Sequence, residues 1–162
     1  MQGVVRGLHV NPNGGVPKHP VDLLVVHFSG CEGDKQNDRK HHGGPEKAVC
    51  LMERWVMDRL QSAGHPIQPG TTGENVLIGG TQPGDITVGV RVIIGGVVLT
   101  ITGDAPPCKT IRESFLAGAF RDLSHKRLPG QTRWYASVHQ PGTIRLGDDV
   151  RVLNEGEQVG SQ

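Results

Sequence analysis

No apolar run in this chain approaches the ~20 residues that a helix needs to cross a bilayer. The opening Met1-Gln2-Gly3-Val4-Val5-Arg6 also lacks the long apolar core of a secretory signal. The expectation is a cytoplasmic protein with no membrane partner. Charge imbalance is equally scarce, since 17 Lys and Arg against 16 Asp and Glu leave a net +1. So weak a field does not favour nucleic acid as a partner. Cysteine is sparse: Cys31, Cys50 and Cys108 cannot all pair within one chain, which fits a reducing compartment, and their spacing excludes a CxxC metal knuckle. Any thiol chemistry then belongs to one Cys acting alone.

What is abundant is punctuation. The chain has 162 residues with 24 Gly and 11 Pro at 35% hydrophobic content, which reads as strands joined by sharp turns. That length suits one domain over 1–162 burying roughly two thirds of its unfolded surface, with a core of about 3–153 and a flexible tail over 154–162. Strands are expected at 3–10, 22–28, 75–78, 86–94, 97–102, 134–139 and 149–153, where β-branched residues lie between Gly, Pro and Asn. Gly95-Gly96 between two such runs predicts a tight hairpin. The polar stretch 30–42 reads as an exposed loop.

Two segments change period. Ala48, Met52, Trp55, Val56, Leu60 and Ala63 recur at helical spacing and predict a helix over 45–63, stopped by Gly64. Ile111, Phe115, Leu116, Ala119, Phe120 and Leu123 predict a second amphipathic helix over 110–123. Many short strands with two inserted helices point to an all-β dominated fold, a closed barrel without free edges.

Chemistry-bearing residues fall on the connections. Cys108, between Pro106-Pro107 and Lys109, stands where a strand ends and the second helix begins, so Lys109 and the helix dipole would both favour its thiolate. A buried structural Cys is the competing reading. Gly43-Gly44-Pro45-Glu46 is read either as a helix N-terminus facing an oxyanion or as an ordinary helix start, with His41 and His42 as metal, acid–base or packing groups. Lys18 follows the rigid Gly14-Gly15-Val16-Pro17 turn, and Gly73-Glu74-Asn75 offers a carboxylate and an amide where a strand begins.

Taken together, the ordered pieces Gly15-Val16-Pro17-Lys18, Gly33-Asp34, His42-Gly43-Gly44-Pro45-Glu46-Lys47-Ala48-Val49, Gly73-Glu74-Asn75 and Pro107-Cys108 resemble the MOSC domain. That domain is the C-terminal module of molybdenum cofactor sulfurases and also a small stand-alone bacterial protein. The resemblance implies a MOSC-type β-barrel in which Cys108 carries sulfur or ligates the molybdenum of a pterin cofactor. Lys18 and the His42-Gly43-Gly44 turn would hold the pterin phosphate, with Glu74, Asn75 and Lys109 around them. Two departures stand out. Relatives often carry an Arg shortly before the Pro-Cys pair, where this chain has Asp104-Ala105-Pro106, and another beside the closing-strand Tyr135, where it has Ala136-Ser137-Val138. Fewer cations imply weaker anion binding.

Three functions follow from the resemblance. The first is a molybdenum-dependent oxidoreductase reducing small N-hydroxylated compounds with Cys108 as metal ligand. The second is a sulfur carrier using a Cys108 persulfide. The third is a non-catalytic binding scaffold. No pyridoxal-phosphate desulfurase domain is expected within this length, so a redox partner or a cysteine desulfurase would be a separate protein. Homo-oligomerisation is left open. Cys31, in a loop, and Cys50, in the first helix, are expected to be incidental.

Overall fold

The computed structural model describes residues 2–35 and 44–154. Its strands are β1 (Gln2–Val10), β2 (His19–Pro20), β3 (Leu23–His27), β4 (Gly30–Cys31), β5 (Val49–Glu53), β6 (Val76–Gly79), β7 (Arg91–Ile94), β8 (Val97–Ala105), β9 (Arg133–Gln140), β10 (Gly142–Arg145) and β11 (Asp149–Leu153). Seven of them close a ring in the order β11, β7, β8, β9, β5, β6, β1, with β1 returning to β11 through Gln2↔Arg151, Gly3↔Val150 and Val4↔Asp149. Every seam is antiparallel except β5 to β6. The expected closed β-barrel is the fold. β2 lies on the far end of β1, and β10, β3 and β4 form a small sheet beside the ring.

Alternation sets the inside. Val92 and Ile94 of β7, Leu99 and Ile101 of β8, Trp134, Ala136 and Val138 of β9, and Val150 and Val152 of β11 all point into one apolar cluster. The Gly95-Gly96 turn behaves as expected: Ile94 faces Val97, and Gly95 takes φ 58°, which a side chain would resist. Strand 86–94 is shorter than expected, because Gly89 at φ 97° turns the chain and leaves only β7.

The first helix is also shorter than its periodicity predicts. Pro45–Lys47 is a single 3-10 turn, Val49–Glu53 is β5, and α1 covers only Arg54–Ser62 before Gly64 turns the chain at φ 94°. All five β5 residues are buried, since Val49 and Leu51 fill the barrel while Met52 joins Val56, Met57 and Leu60 in a second core outside it. A strand covered on both faces loses its alternation and blends into the following helix pattern.

The second helix is replaced by three 3-10 pieces, Lys109–Ser114, Leu116–Gly118 and Phe120–Asp122. Phe115 is extended between the first two, and Ala117 sits at φ 51°. His65 explains the break. Its Nδ1 accepts the Leu116 N–H at 3.1 Å and its Nε2 meets Asp122 at 3.0 Å, so a backbone donor that a helix would use internally goes elsewhere. Ile111, Phe115 and Leu123 still reach the outer core, whereas Leu116 is exposed. Among the described residues no helix is long and apolar enough to cross a membrane.

Candidate functional site

At one end of the barrel three connections converge: the turn after β1 that leads to Lys18, the loop before β6, and the segment from the end of β8 to Cys108. The Val16-Pro17 peptide is cis. Asn11 anchors this turn by donating from Nδ2 to the Pro17 carbonyl at 3.0 Å, while its own N–H reaches Asp34 Oδ1 at 2.9 Å.

Lys18 arrives where expected, but its charge is already engaged. Its Nζ lies 2.7 Å from Asp34 Oδ2, with the two side chains 13% and 4% exposed. Asp34 Oδ2 also accepts from Asn75 Nδ2 at 2.9 Å. A nearly buried ion pair whose anion takes further donors is held firmly. Lys18 would therefore share its charge with Asp34 when meeting an anionic ligand.

Asn75 and Glu74 bracket this end of the barrel from within. Asn75 Oδ1 accepts the Cys50 N–H at 3.0 Å, its Nδ2 also donates to the His9 carbonyl at 3.1 Å, and its own N–H reaches the Cys50 carbonyl at 2.8 Å. Glu74 is fully buried, with Oε2 accepting the Gly70 N–H at 2.6 Å and Oε1 accepting the Thr72 hydroxyl at 2.9 Å. Gly70 admits no side chain, since a Cβ there would meet the Lys18 carbonyl at 2.4 Å. His9 lies against the same loop. Burial holds its imidazole below the ordinary value, Glu74 opposes that, and Lys18 reinforces it. Its Nδ1 is buried without a hydrogen-bond partner among the described residues.

Gly44 has φ 90° and open space around it, yet it precedes a three-residue 3-10 turn. The α-helix N-terminus expected there, with its dipole, is absent because the chain enters β5 two residues later. His42 and Gly43, like His41 and most of the expected tail, lie outside the described residues.

Cys108 is half-buried at the rim, its Sγ 2.8 Å from Thr110 Oγ1. It begins a 3-10 piece and not an α-helix, so the dipole argument for its thiolate loses its basis. Lys109 is exposed and lines a cleft of about 590 Å³ with Thr110, Arg112 and Ser114 on one side and Val16, Pro17, Pro66 and Thr71 opposite.

The other two thiols differ from Cys108 by burial. Desolvation pushes Cys31, which lies in β4, up to about 12. It also raises Cys50, against the opposing pull of Arg133 and Lys18. Both stay protonated near neutrality, and a protonated thiol is neither a nucleophile nor a soft-metal ligand. Cys50 is in β5, not in a helix, and packs with Ala105 and Tyr135 at the base of the site.

Sequence reasoning missed Arg133 at the start of β9. Its only local signal is a charge opening the apolar run Trp134-Tyr135-Ala136. It is 6% exposed, with Nη1 donating to the Thr72 carbonyl at 2.6 Å and Nη2 to the carbonyls of Ala105 and Pro106 at 3.2 Å each. Its Nε is buried without a partner among the described residues.

These residues are compatible with a metal that brings most of its own ligands. Among the described residues no three His, Cys, Asp or Glu side chains gather for a metal held by protein alone. One half-buried sulfur next to a cleft lined by Lys109, Arg112 and Glu113 suits a metal already chelated by a cofactor, because soft thiolate ligation then needs a single Cys.

The chain is 26% identical over 146 residues to the uncharacterized protein YflK of Bacillus subtilis (strain 168), covering 89% of this chain and 65% of YflK. It is 27% identical over 144 residues to protein YiiM of Escherichia coli (strain K12), covering 86% and 63%. It therefore spans somewhat less than two thirds of those relatives. In fold it is similar to the crystal structure of the YuaD protein from Bacillus subtilis, with a TM-score of 0.77 at 20% identity, over 95% of this chain and 97% of YuaD. The MOSC domain family model matches residues 38–151, and the chain belongs to that family.

Proposed function

We propose that this protein binds a molybdenum-pterin cofactor through Cys108 and reduces small N-hydroxylated compounds. The observation that carries the reading is the contrast among the thiols. Two are buried and held protonated, while Cys108 is only half-buried and immediately precedes Lys109 and Thr110, which line the cleft.

Bound molybdenum would supply the two-electron redox chemistry: an N–OH group takes up two electrons and two protons and leaves as N–H and water. The chain's own groups prepare the place. Cys108 Sγ would serve as the metal ligand, and the Thr110 hydroxyl, 2.8 Å away, would then donate to it. Lys109 and Arg112 would bring positive charge to the cleft, offset in part by Glu113, and Thr71 and Ser114, hydrogen-bonded to each other at 2.9 Å, offer hydroxyls to a polar substrate. Lys18 contributes to anion binding only in balance with Asp34. Electrons come from a separate redox protein.

The test is expression in cells that make the cofactor, followed by elemental analysis and oxidised-pterin fluorescence on wild type and Cys108→Ser. Near-stoichiometric molybdenum and pterin that vanish in the variant are expected. A wild type that loads neither sinks the reading. Sulfane sulfur on Cys108 in that case would establish the sulfur carrier, and its absence the scaffold.

A further inference from the structure

Prolines remove hydrogen-bond donors, and Pro106-Pro107 removes two in succession just before Cys108. The β8–β9 ladder ends there, with Ala105 as the register partner of Arg133. From that last rung the Arg133 side chain reaches onward. Its Nη2 donates to the carbonyls of Ala105 and Pro106, and its Nη1 to the carbonyl of Thr72. The guanidinium thus supplies donors to the carbonyls of the segment entering Cys108 and ties that segment to the loop that holds Glu74.

The cost of this arrangement shows that it is not incidental packing. Arg133 is almost fully buried, and among the described residues it forms no ion pair, so its charge is met by carbonyl dipoles alone. Burying a cation without a counter-charge is unfavourable unless its hydrogen bonds are well satisfied, and a planar fork can satisfy three carbonyls where an ammonium on a flexible stem meets them less well. No Arg stands before the Pro-Cys pair or beside Tyr135, yet the Arg133 guanidinium reaches the carbonyls of Ala105 and Pro106 from the neighbouring strand. The geometry points to Arg133 as the positioning residue of Cys108, fixing the rim segment that presents the thiol. Its bearing on cofactor binding rests on the function proposed above, whereas its control of the thiol does not.

The experiment compares full-length wild type, Arg133→Met, Arg133→Lys and a control, Val150→Ala. Val150 faces Ile94, whose other neighbour Val97 starts β8, so the control truncates the core at the far end of that strand. Alkylation of Cys108 by iodoacetamide is followed by peptide mass, with the urea midpoint of each protein measured alongside. Loosening the segment should raise the Cys108 alkylation rate about three-fold or more in Arg133→Met. Arg133→Lys should show roughly half that rise, since it keeps the charge but not the fork. Val150→Ala should leave the rate unchanged even with a lowered midpoint. A folded Arg133→Met that reacts at the wild-type rate, or a Val150→Ala that reacts as fast as Arg133→Met, overturns the assignment. If Arg133→Met does not fold, Arg133→Lys decides by the same rate. Molybdenum and pterin per chain should fall in the same order as alkylation rises. A wild type without cofactor would refute the cofactor reading alone and leave the alkylation result to judge Arg133.

Discussion

At the scale of the residue, Asn75 shows how much one side chain can organise. It joins β5 to β1 and to Asp34, so Asn75→Ala leaves the buried Cys50 N–H and the His9 carbonyl unpaired and frees one donor from the Lys18–Asp34 pair. Unpaired buried polar groups cost about 1–3 kcal/mol each, and a loss of roughly 3 kcal/mol in urea unfolding is expected. A loss below about 1 kcal/mol would mean that water replaces the amide. His9 predicts a pH dependence. Its folded form binds a proton less readily than the unfolded chain, whose value is near 6.5, so stability falls as pH drops below 6.5 toward the lowered folded value, and levels off beneath it. Urea unfolding of wild type and His9→Met at about pH 7.5 and about pH 5.5 checks this, since only wild type carries that part of the slope. A difference between the two proteins that stays constant with pH would refute it. Cys108, Lys18, Glu74 and Asn75 could be singled out from the sequence because each lies in a short motif of Gly, Pro and polar residues. Arg133 and the partnership of Asp34 with Lys18 could not, because both depend on strand register and loop closure across the chain.

At the scale of the element, the sequence was legible where a strand stands between turn residues and does not run straight into a helix. β1, β3, β6, β9 and β11 fall within a residue or two of their expected limits, and the β7–β8 turn falls at Gly95-Gly96 as expected although β7 starts later and β8 runs further. Legibility failed at β5, buried on both sides, and at 110–123, where a distant histidine takes over a backbone donor. His65, three residues after α1, thus holds the second and third 3-10 pieces through Leu116 and Asp122. His65→Ala should remove the acceptor for the Leu116 N–H and the partner of Asp122, costing about 2 kcal/mol. Hydrogen exchange should rise in 109–123 while β7 and β11 stay protected. If the barrel strands exchange faster to the same extent, the segment is not an independent cover but part of the ring's own cooperativity.

At the scale of the molecule, the barrel depends on its last seam. Three of the seven seams join strands that follow each other in sequence, whereas β1 and β11 lie at opposite ends of the described chain and meet through three register pairs. Gly3 sits in that seam, and a Cβ there would come within 2.6 Å of the Gly79 carbonyl on β6, the strand on the other side of β1. A side chain must therefore push β1 away from β6 or strain its register with β11. Gly3→Ala should cost about 1–3 kcal/mol, the usual range for overpacking. Its signature distinguishes closure from general loosening. Amides of β1 and β11 should exchange faster while the β8–β9 ladder, far around the ring, keeps its protection, and Cys108 alkylation should remain at the wild-type rate because the Arg133 fork belongs to that ladder. An even loss of protection around all seven strands would show that the ring opens as one unit. In that case the site at the rim would owe its geometry to barrel closure as much as to the local contacts of Arg133.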